Sequence, residues 1–226
     1  MQEAETTLAA TGKRSLDQAA ADTLRQAILT GAIAPGSRLT ETRLAEQMTL
    51  SRGPIRAALH KLVTEGLVIQ QPYVGWRVIS LSVQDAWEIS TLRANFEGLA
   101  ARLAAERIDD HGRERLQGAY DRLVAAARQA DHAALIDADL ALHKLVVDLA
   151  GHSRLAQHYG PVTHQIRLYI AATTGMHHMA FDSVCEAHWN IVESILQGMA
   201  TEAGALASAH CYNSGRKLRN LLERGE

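Results

Sequence analysis

Cysteine, proline and aromatic residues are scarce in this sequence of 226 residues, which has two cysteines, four prolines and 4% aromatic residues. Cys185 and Cys211 cannot form the disulfide framework of a small secreted domain, so we expect both to be reduced, buried and without a chemical role. Nowhere do about 18 apolar residues run together, and residues 1–14 contain neither a signal peptide nor a membrane anchor. These absences predict a soluble, cytoplasmic protein with no membrane partner.

The length of the chain fits two domains, each large enough to bury a core of its own. We assign residues 1–14 to a flexible N-terminus, residues 15–80 to a first domain and residues 81–226 to a second. Residues 1–80 carry nine Lys and Arg against seven Asp and Glu, whereas the remainder carries fourteen against eighteen. The first part is therefore basic and suits a negatively charged partner, while the overall charge of −2 argues against indiscriminate coating of nucleic acid.

The segment from Leu44 to Gly66 has the pattern of two short helices joined by a tight turn. Ser51 is a good N-cap and Pro54 is tolerated in a first turn, so the second helix is expected to begin near Arg52. Apolar residues then recur at steps of three and four and form one buried stripe: Ile55, Ala58, Leu59, Leu62 and Val63. A shorter helix opened by Thr40 precedes it, with an apolar stripe of Leu39, Leu44, Ala45 and Met48.

Three arginines project from the outer face of this helix pair, Arg43 from the first helix and Arg52 and Arg56 from the second. A helix-turn-helix places its second helix in the major groove, where arginine can hydrogen-bond guanine or hold a phosphate. Runs rich in Val and Ile flank the segment 72–74, which predicts a two-stranded wing. With a further helix before Gly31, the spacing predicts a winged helix that binds DNA. The alternative is an ordinary helical hairpin with arginines outside and leucines inside.

The second part of the chain is rich in alanine and leucine, has a single proline and shows no convincing period of two. The predicted fold class is therefore mainly α, with a winged helix-turn-helix and its small β wing followed by an all-α helical bundle. Breaks at Gly and Asp residues divide the bundle into six predicted helices, at 82–107, 111–129, 131–150, 153–173, 181–198 and 202–223.

Ten of the eleven histidines lie beyond residue 110. Asp139 and His143 are four residues apart, which places a carboxylate and an imidazole on one helix face. His188 and His210 lie on either side of a turn expected between Gly198 and Gly204, so an antiparallel hairpin would bring both imidazoles level. These four side chains could hold one metal ion, although alanine-rich bundles also tolerate hydrogen-bonded core histidines. Other histidines are expected at the surface or in loops: His152, His158, His164, His177 and His178.

Several segments resemble the GntR superfamily of transcription regulators. TETRLAEQMTLSRGPIRAALHKLVTEGLV resembles its winged helix, and LRANFEGLAARLAA resembles the opening R-x-x-x-E helix of its FadR-type, or FCD, effector domain. The D-x-x-x-H of Asp139 and His143, and the block EAHWNIVESILQGMATEAGALASAH with His188 and His210, are similar to the metal-binding branch of that subfamily. The resemblance covers about residues 15–220.

The resemblance implies a function for each of these groups. Contacts to operator DNA are expected from Arg43, Arg52, Arg56 and Gly75, the last at the wing tip. A divalent metal ion is expected, zinc first, with nickel, manganese or iron as alternatives, on the ligands Asp139, His143, His188 and His210. Members of the family bind small organic acids, with a carboxylate reaching the metal and an arginine. We expect Arg93 and Arg167 to bind this effector, together with Asn213, which shares a helix face with His210.

The sequence therefore predicts a DNA-binding transcription regulator, a repressor, whose operator affinity is controlled by a small organic acid. Helix-turn-helix dimers read two half-sites related by two-fold symmetry, so a homodimer is expected. One alternative is a metalloenzyme that uses the Asp/His site for hydrolysis, and another is a regulator that senses the metal itself. No further glutamate has the spacing of an H-E-x-x-H motif, and we expect no enzymatic activity.

Overall fold

The computed structural model describes residues 15–80, 82–129, 132–173 and 181–224. A small domain comes first, built from α1 (Leu16–Leu29), β1 (Arg38–Leu39), α2 (Glu41–Met48), α3 (Arg52–Thr64), β2 (Val68–Gln71) and β3 (Gly75–Val78). The rest is helical: α4 (Val83–Arg107), α5 (Asp110–Arg128), α6 (His132–Leu149), α7 (Ser153–Thr173), α8 (Phe181–Leu196) and α9 (Ala200–Arg224). The predicted fold class is confirmed. The expected flexible tail at residues 1–14 lies outside the described residues.

The three helices of the small domain pack their apolar stripes around one core. α3 begins directly after Ser51, as predicted, although the Ser51 hydroxyl makes no capping hydrogen bond. Ile55, Leu59 and Leu62 are fully buried, whereas Val63 is 36% exposed and does not belong to the buried stripe, contrary to expectation. Successive helical residues are about 100° apart, so the position after Leu62 falls at the edge of a stripe defined by steps of four and three.

The wing is a three-stranded antiparallel sheet of order β1-β3-β2, not the two-stranded wing predicted. Leu39 of β1 lies opposite Trp76 of β3, so it belongs to the sheet and not to the apolar stripe of α2, where the sequence placed it. α2 starts only after Thr40. A strand of two residues is too short to show the alternation from which strands are predicted, so the sequence does not reveal β1.

The long helices α4 and α9 pack closely along much of their length because glycines face each other between them. A Cβ atom on Gly98 would lie 3.1 Å from the Gly204 carbonyl oxygen, and one on Gly204 would lie 3.0 Å from the Gly98 carbonyl oxygen. The predicted turn between α8 and α9 occurs at Gly198, which has φ +73°, while Gly204 lies inside α9. The close approach brings the residues after Gly204 directly over the middle of α4.

Helix α7 belongs to the bundle and also packs against the small domain. Leu168 is 1% exposed and belongs to the core of the small domain, although it comes from the bundle. Gln165 donates a hydrogen bond from Nε2 to the Gly66 carbonyl oxygen, with a length of 3.0 Å, and the Tyr169 hydroxyl donates to the Ser82 carbonyl oxygen at 3.1 Å. Among the described residues, no helix is both long enough and apolar enough to cross a bilayer.

Candidate metal centre and nucleic-acid interface

The exposed face of α2 and α3 carries the three predicted arginines. Arg43 lies exposed on α2, and the Arg52 and Arg56 side chains on α3 are 62% and 55% exposed. Glu41 lies between the two α3 arginines and accepts from Arg56 at 2.9 and 2.8 Å and from Arg52 at 3.2 Å. Hydrogen bonds from Arg56 above all lower the pKa of Glu41 to about 2, despite its partial burial. Glu41 thus holds two cations side by side toward solvent.

The sequence pattern indicates no role for Glu41, but in the structure a third partner holds it in place beside the two arginines. Trp76 of β3 donates from its indole Nε1 to Glu41 Oε1 at 3.1 Å, which links the wing to the arginine-bearing face. Gly75 precedes Trp76 at the tip of the wing with φ +98°, in a turn where Tyr73 also has a positive φ of 63°. A Cβ atom on Gly75 would meet nothing within 4 Å, so the requirement for glycine is conformational.

The four predicted metal ligands come together in the bundle. Asp139 and His143 lie on α6, His188 on α8 and His210 on α9, and one donor atom from each lies within 4.8 Å of all the others. His188 Nε2 lies 2.8 Å from Asp139 Oδ1 and 3.2 Å from His143 Nε2. His143 and His188 are buried, and the other two are partly buried. The hairpin about Gly198 and the four-residue spacing on α6 therefore place these side chains as the sequence predicts.

The hydrogen bonds on the far side of two imidazoles determine what the cluster can bind. His188 Nδ1 lies 2.7 Å from the Val184 carbonyl oxygen, and His143 Nδ1 lies 2.6 Å from Glu97 Oε2. Because a carbonyl and a carboxylate can only accept, each Nδ1 carries the proton. The Nε2 lone pairs of both rings then face each other and Asp139. Such second hydrogen bonds fix the orientation of histidines that bind metals.

Charge in the cluster has to be balanced by a proton or a cation. Burial lowers the pKa of His188, but attraction to Asp139 outweighs it and the net shift is upward. Burial together with the neighbouring His143 and His188 lowers the pKa of His210 to about 2, so that imidazole stays neutral. A proton on His188 Nε2 would serve only the pair that His188 forms with Asp139 and would leave the other two imidazoles without a partner within the cluster for their lone pairs. A divalent cation satisfies all four donors, and three imidazoles with one carboxylate are a donor set that suits zinc and similar metals.

A single buried carboxylate, Glu97, organises the neighbourhood of the cluster. Its Oε1 accepts from Arg93 Nε and, at 2.7 Å, from the Tyr159 hydroxyl, while its Oε2 faces His143 and accepts from the Cys211 thiol at 3.0 Å. Burial raises the pKa of Glu97, but Arg93 and His143 outweigh it and keep the carboxylate ionised. The sequence indicated Glu97 only as part of the R-x-x-x-E pattern and assigned it no role. Its other partners lie on α6, α7 and α9, and no local pattern reveals them.

A cavity of about 690 Å³ adjoins the cluster and receives two of the three predicted effector residues. Arg93 and Asn213 line it together with Asp139, His188 and His210. The Arg93 side chain is buried, and its Nη2 has no hydrogen-bond partner within the part of the chain that the structure describes. Asn213 accepts from Arg216 at 3.3 Å.

Arg167 and several other residues lie elsewhere than the sequence indicated. Arg167 does not line the cavity and instead pairs with Asp137 at 2.5 Å. His152 and His158 are exposed, but His164 is partly buried against the small domain, with Nδ1 at 3.8 Å from Glu65. His177 and His178 lie outside the described residues. Of the two cysteines, Cys211 is buried as expected, whereas Cys185 is only partly buried.

Replacing Glu97 by glutamine tests whether this carboxylate positions the cluster. The amide keeps the volume but presents only one acceptor oxygen, so His143 loses its fixed partner and we expect zinc affinity to fall about 10- to 100-fold. Competition with a chromophoric chelator measures the affinity. Glu88→Gln on the exposed face of α4 is the matched control and should retain wild-type affinity. Equal affinities in the two variants, with both folded by circular dichroism, would exclude a positioning role.

The first domain is a winged helix with exposed arginines, and the second is a helical bundle with a buried histidine cluster. This combination defines a DNA-binding regulator with a separate ligand-binding domain. Comparison with known families agrees with this class. The FCD domain matches residues 88–213, and the family described as bacterial regulatory proteins, gntR family, matches residues 16–78. The chain belongs to the GntR family of transcription regulators, in its FCD-containing form. This identifies a regulator and not an enzyme, so the metalloenzyme alternative is not supported.

Individual relatives share the same organisation. The HTH-type transcriptional regulator YdhC of Bacillus subtilis is 28% identical over 208 residues, which covers 90% of this chain and 91% of the relative. The probable D-xylose utilization operon transcriptional repressor of Paenarthrobacter nicotinovorans is 27% identical over 84% of both chains. The solved structure of E. coli McbR/YncC superposes with a TM-score of 0.78 at 19% identity, covering 92% of this chain and 99% of that one. At this identity the structure supports the fold alone.

Proposed function

We propose that this regulator is a repressor that binds its operator as a homodimer and is controlled by a carboxylate effector at a metal-containing site in the bundle. The observation that carries the proposal is the convergence of four donor atoms beside Arg93, whose buried Nη2 lacks a partner among the described residues and which lines the same cavity. A buried cationic donor without a partner is costly, and an anionic ligand removes that cost. The site of action is the cytoplasm, where operator DNA is accessible.

The proposed metal ligands are Asp139, His143, His188 and His210, with zinc as the expected ion and nickel, manganese or iron as alternatives. A bound divalent cation would supply positive charge for a carboxylate. Arg93 donates to the same anion from the α4 side, and Asn213 offers an amide from the α9 side. Arg167 has no support for an effector role because it pairs with Asp137 outside the cavity.

DNA contacts are proposed for Arg43, Arg52 and Arg56 on the helices and for Gly75 at the wing tip. All three arginine side chains are exposed, as a surface that enters the major groove requires. A homodimer is proposed because helix-turn-helix domains read paired half-sites. Repression is proposed because relatives include the probable D-xylose utilization repressor and the E. coli repressor GlaR.

The path from the cavity to the DNA-binding domain is proposed to run through α7. Ile166 and Ile170 of this helix line the cavity, while Gln165 and Leu168 contact the small domain. A ligand that favours one placement of α7 over another therefore changes the placement of the small domain. Only a difference in affinity between the two placements can shift operator binding.

Operator binding in the presence of candidate acids tests the proposal. Zinc-loaded protein is titrated against a duplex selected from a random library, with acetate, succinate, benzoate and gluconate added separately. We expect at least one acid to change operator affinity by about 5- to 150-fold, the usual range of coupling between sites. The proposal fails if every acid leaves the affinity unchanged. If zinc alone causes the full change, the regulator senses the metal and the effector part of the proposal is wrong.

Gln165→Ala, measured in the same assay, tests the path through α7. Loss of the hydrogen bond to Gly66 should reduce the response of operator affinity to the acid while the acid still binds. Gln157→Ala, an exposed position on the same helix, is the matched control and should respond as the wild type does. Equal responses in both variants would exclude Gln165 from the path.

A further inference from the structure

The wall of the cavity divides into a charged end and an apolar remainder. Arg93, Asp139, His188 and His210 form the charged end, where Arg93 Nη2 has no hydrogen-bond partner in the part of the chain that the structure describes. Away from that end four polar residues contribute a smaller part of the lining, Ser90, Asn190, Asn213 and Ser214. The larger part is aliphatic and comes from α6, α7, α8 and α9, with Leu135, Ile136, Ile166, Ile170, Val184 and Leu218. The volume of about 690 Å³ is in the range of small-molecule sites. A ligand that fills it must place an apolar body against these residues.

The net charge at the charged end can be neutralised by one added negative charge and no more. With the imidazoles neutral as metal ligands, the carboxylates of Glu97 and Asp139 oppose the guanidinium of Arg93 and a divalent cation, which leaves a single positive charge in excess. One carboxylate neutralises this excess. A second carboxylate would meet no second buried cation among the described lining residues, because Lys217 is exposed and an exposed ion pair contributes little.

We propose that the effector is a monocarboxylic acid with an apolar alkyl or aryl body, and not a dicarboxylate or a polyhydroxy acid. This inference rests on the proposed effector site. The single carboxylate accounts for the charged end, and the aliphatic wall accounts for the rest of the molecule. Hydroxyl groups placed against Ile136, Ile166 or Leu218 would lose their hydrogen bonds to water without replacement.

Six-carbon ligands that differ in one property each provide the test, measured by calorimetric titration of the zinc-loaded, full-length protein. Hexanoate is compared with hexanamide, which lacks the charge, with adipate, which adds a second carboxylate, and with gluconate, which adds hydroxyls. We expect hexanoate to bind at least about tenfold more tightly than each of the others. From acetate to hexanoate, each added methylene should lower Kd by about fourfold, since the body is buried against apolar wall.

A substitution in the wall tests the same inference from the side of the protein. Ile136→Asn should weaken hexanoate binding at least about tenfold and leave acetate binding unchanged, because acetate has no body to reach the wall. Leu92→Asn, on the exposed surface of α4, is the matched control and should leave both affinities unchanged. If Ile136→Asn does not fold, the chain-length series on the wild-type protein decides alone.

The outcomes separate failure of this inference from failure of the proposed function. Tighter binding of adipate or gluconate than of hexanoate, with operator affinity still responding to that acid, overturns the apolar monocarboxylate and keeps the effector site. A chain-length series in which Kd stays flat from acetate to hexanoate also overturns it. Binding of no acid at all overturns the effector site itself.

Discussion

Replacing His188 by alanine is expected to abolish tight zinc binding and, with it, the stabilisation of the bundle by the metal. When the free metal concentration is 100 times its Kd, binding stabilises the folded state by about 2.7 kcal/mol. For a chain of this size each kcal/mol corresponds to roughly 2–4 °C in Tm, so adding a chelator to the wild-type protein should lower Tm by about 5–10 °C. The His188→Ala variant should show no change in Tm when the chelator is added. Differential scanning calorimetry measures both.

The matched control for this experiment is His158→Ala, which removes an exposed imidazole from α7. It should bind zinc and respond to the chelator as the wild-type protein does. Retention of one tightly bound zinc ion by His188→Ala would show that the cluster is not the metal site. A wild-type Tm that does not respond to the chelator would show the same.

Replacing Arg56 by alanine is expected to weaken operator binding by about 10- to 100-fold, because a paired hydrogen bond from arginine to a base contributes about 1–3 kcal/mol. Arg56 is half exposed, and its removal leaves Glu41 with Arg52 and Trp76, so the fold should be unaffected. Fluorescence anisotropy with the selected duplex, at fixed ionic strength, measures the loss.

Two controls show whether the loss comes from a local contact. Arg115→Ala removes the same charge from an exposed position on α5 and should leave operator affinity within about twofold of the wild type. A scrambled duplex distinguishes a base contact from a phosphate contact, because loss of a phosphate contact weakens both duplexes alike. Wild-type affinity in Arg56→Ala would place the DNA-binding surface elsewhere.

The parts of the site that could be predicted from the sequence follow from helical geometry. Four residues separate Asp139 from His143, and this spacing alone places them on one face of α6. His188 and His210 are equidistant from the turn, and an antiparallel hairpin therefore brings them level. The exposed arginines of α3 follow from the same periodicity. Each of these inferences needs only one element, or two elements joined by one short turn.

The parts that could not be predicted depend on contacts between elements that are distant in the chain. Glu97 receives hydrogen bonds from α6, α7 and α9, and only the assembled bundle shows that it links Arg93 to His143. Arg167 has the right chemistry for an effector contact but faces Asp137, because the periodicity of α7 does not say which neighbour it meets. Leu39 was placed in a helix because a strand of two residues has no pattern to read.

The two faces of α7 constrain how regulators built on this plan can diverge. Ile166 contacts the ligand cavity and Leu168, two residues later, is buried in the core of the DNA-binding domain. A mutation on α7 that changes the shape of the cavity therefore also disturbs the packing of α7 against the DNA-binding domain. A new ligand preference would come with an altered response of operator affinity. Positions such as Ile136 on α6 are free of this conflict. If the proposed effector site is correct, adaptation to a new effector should accordingly proceed through α6 and α9, while α7 changes slowly.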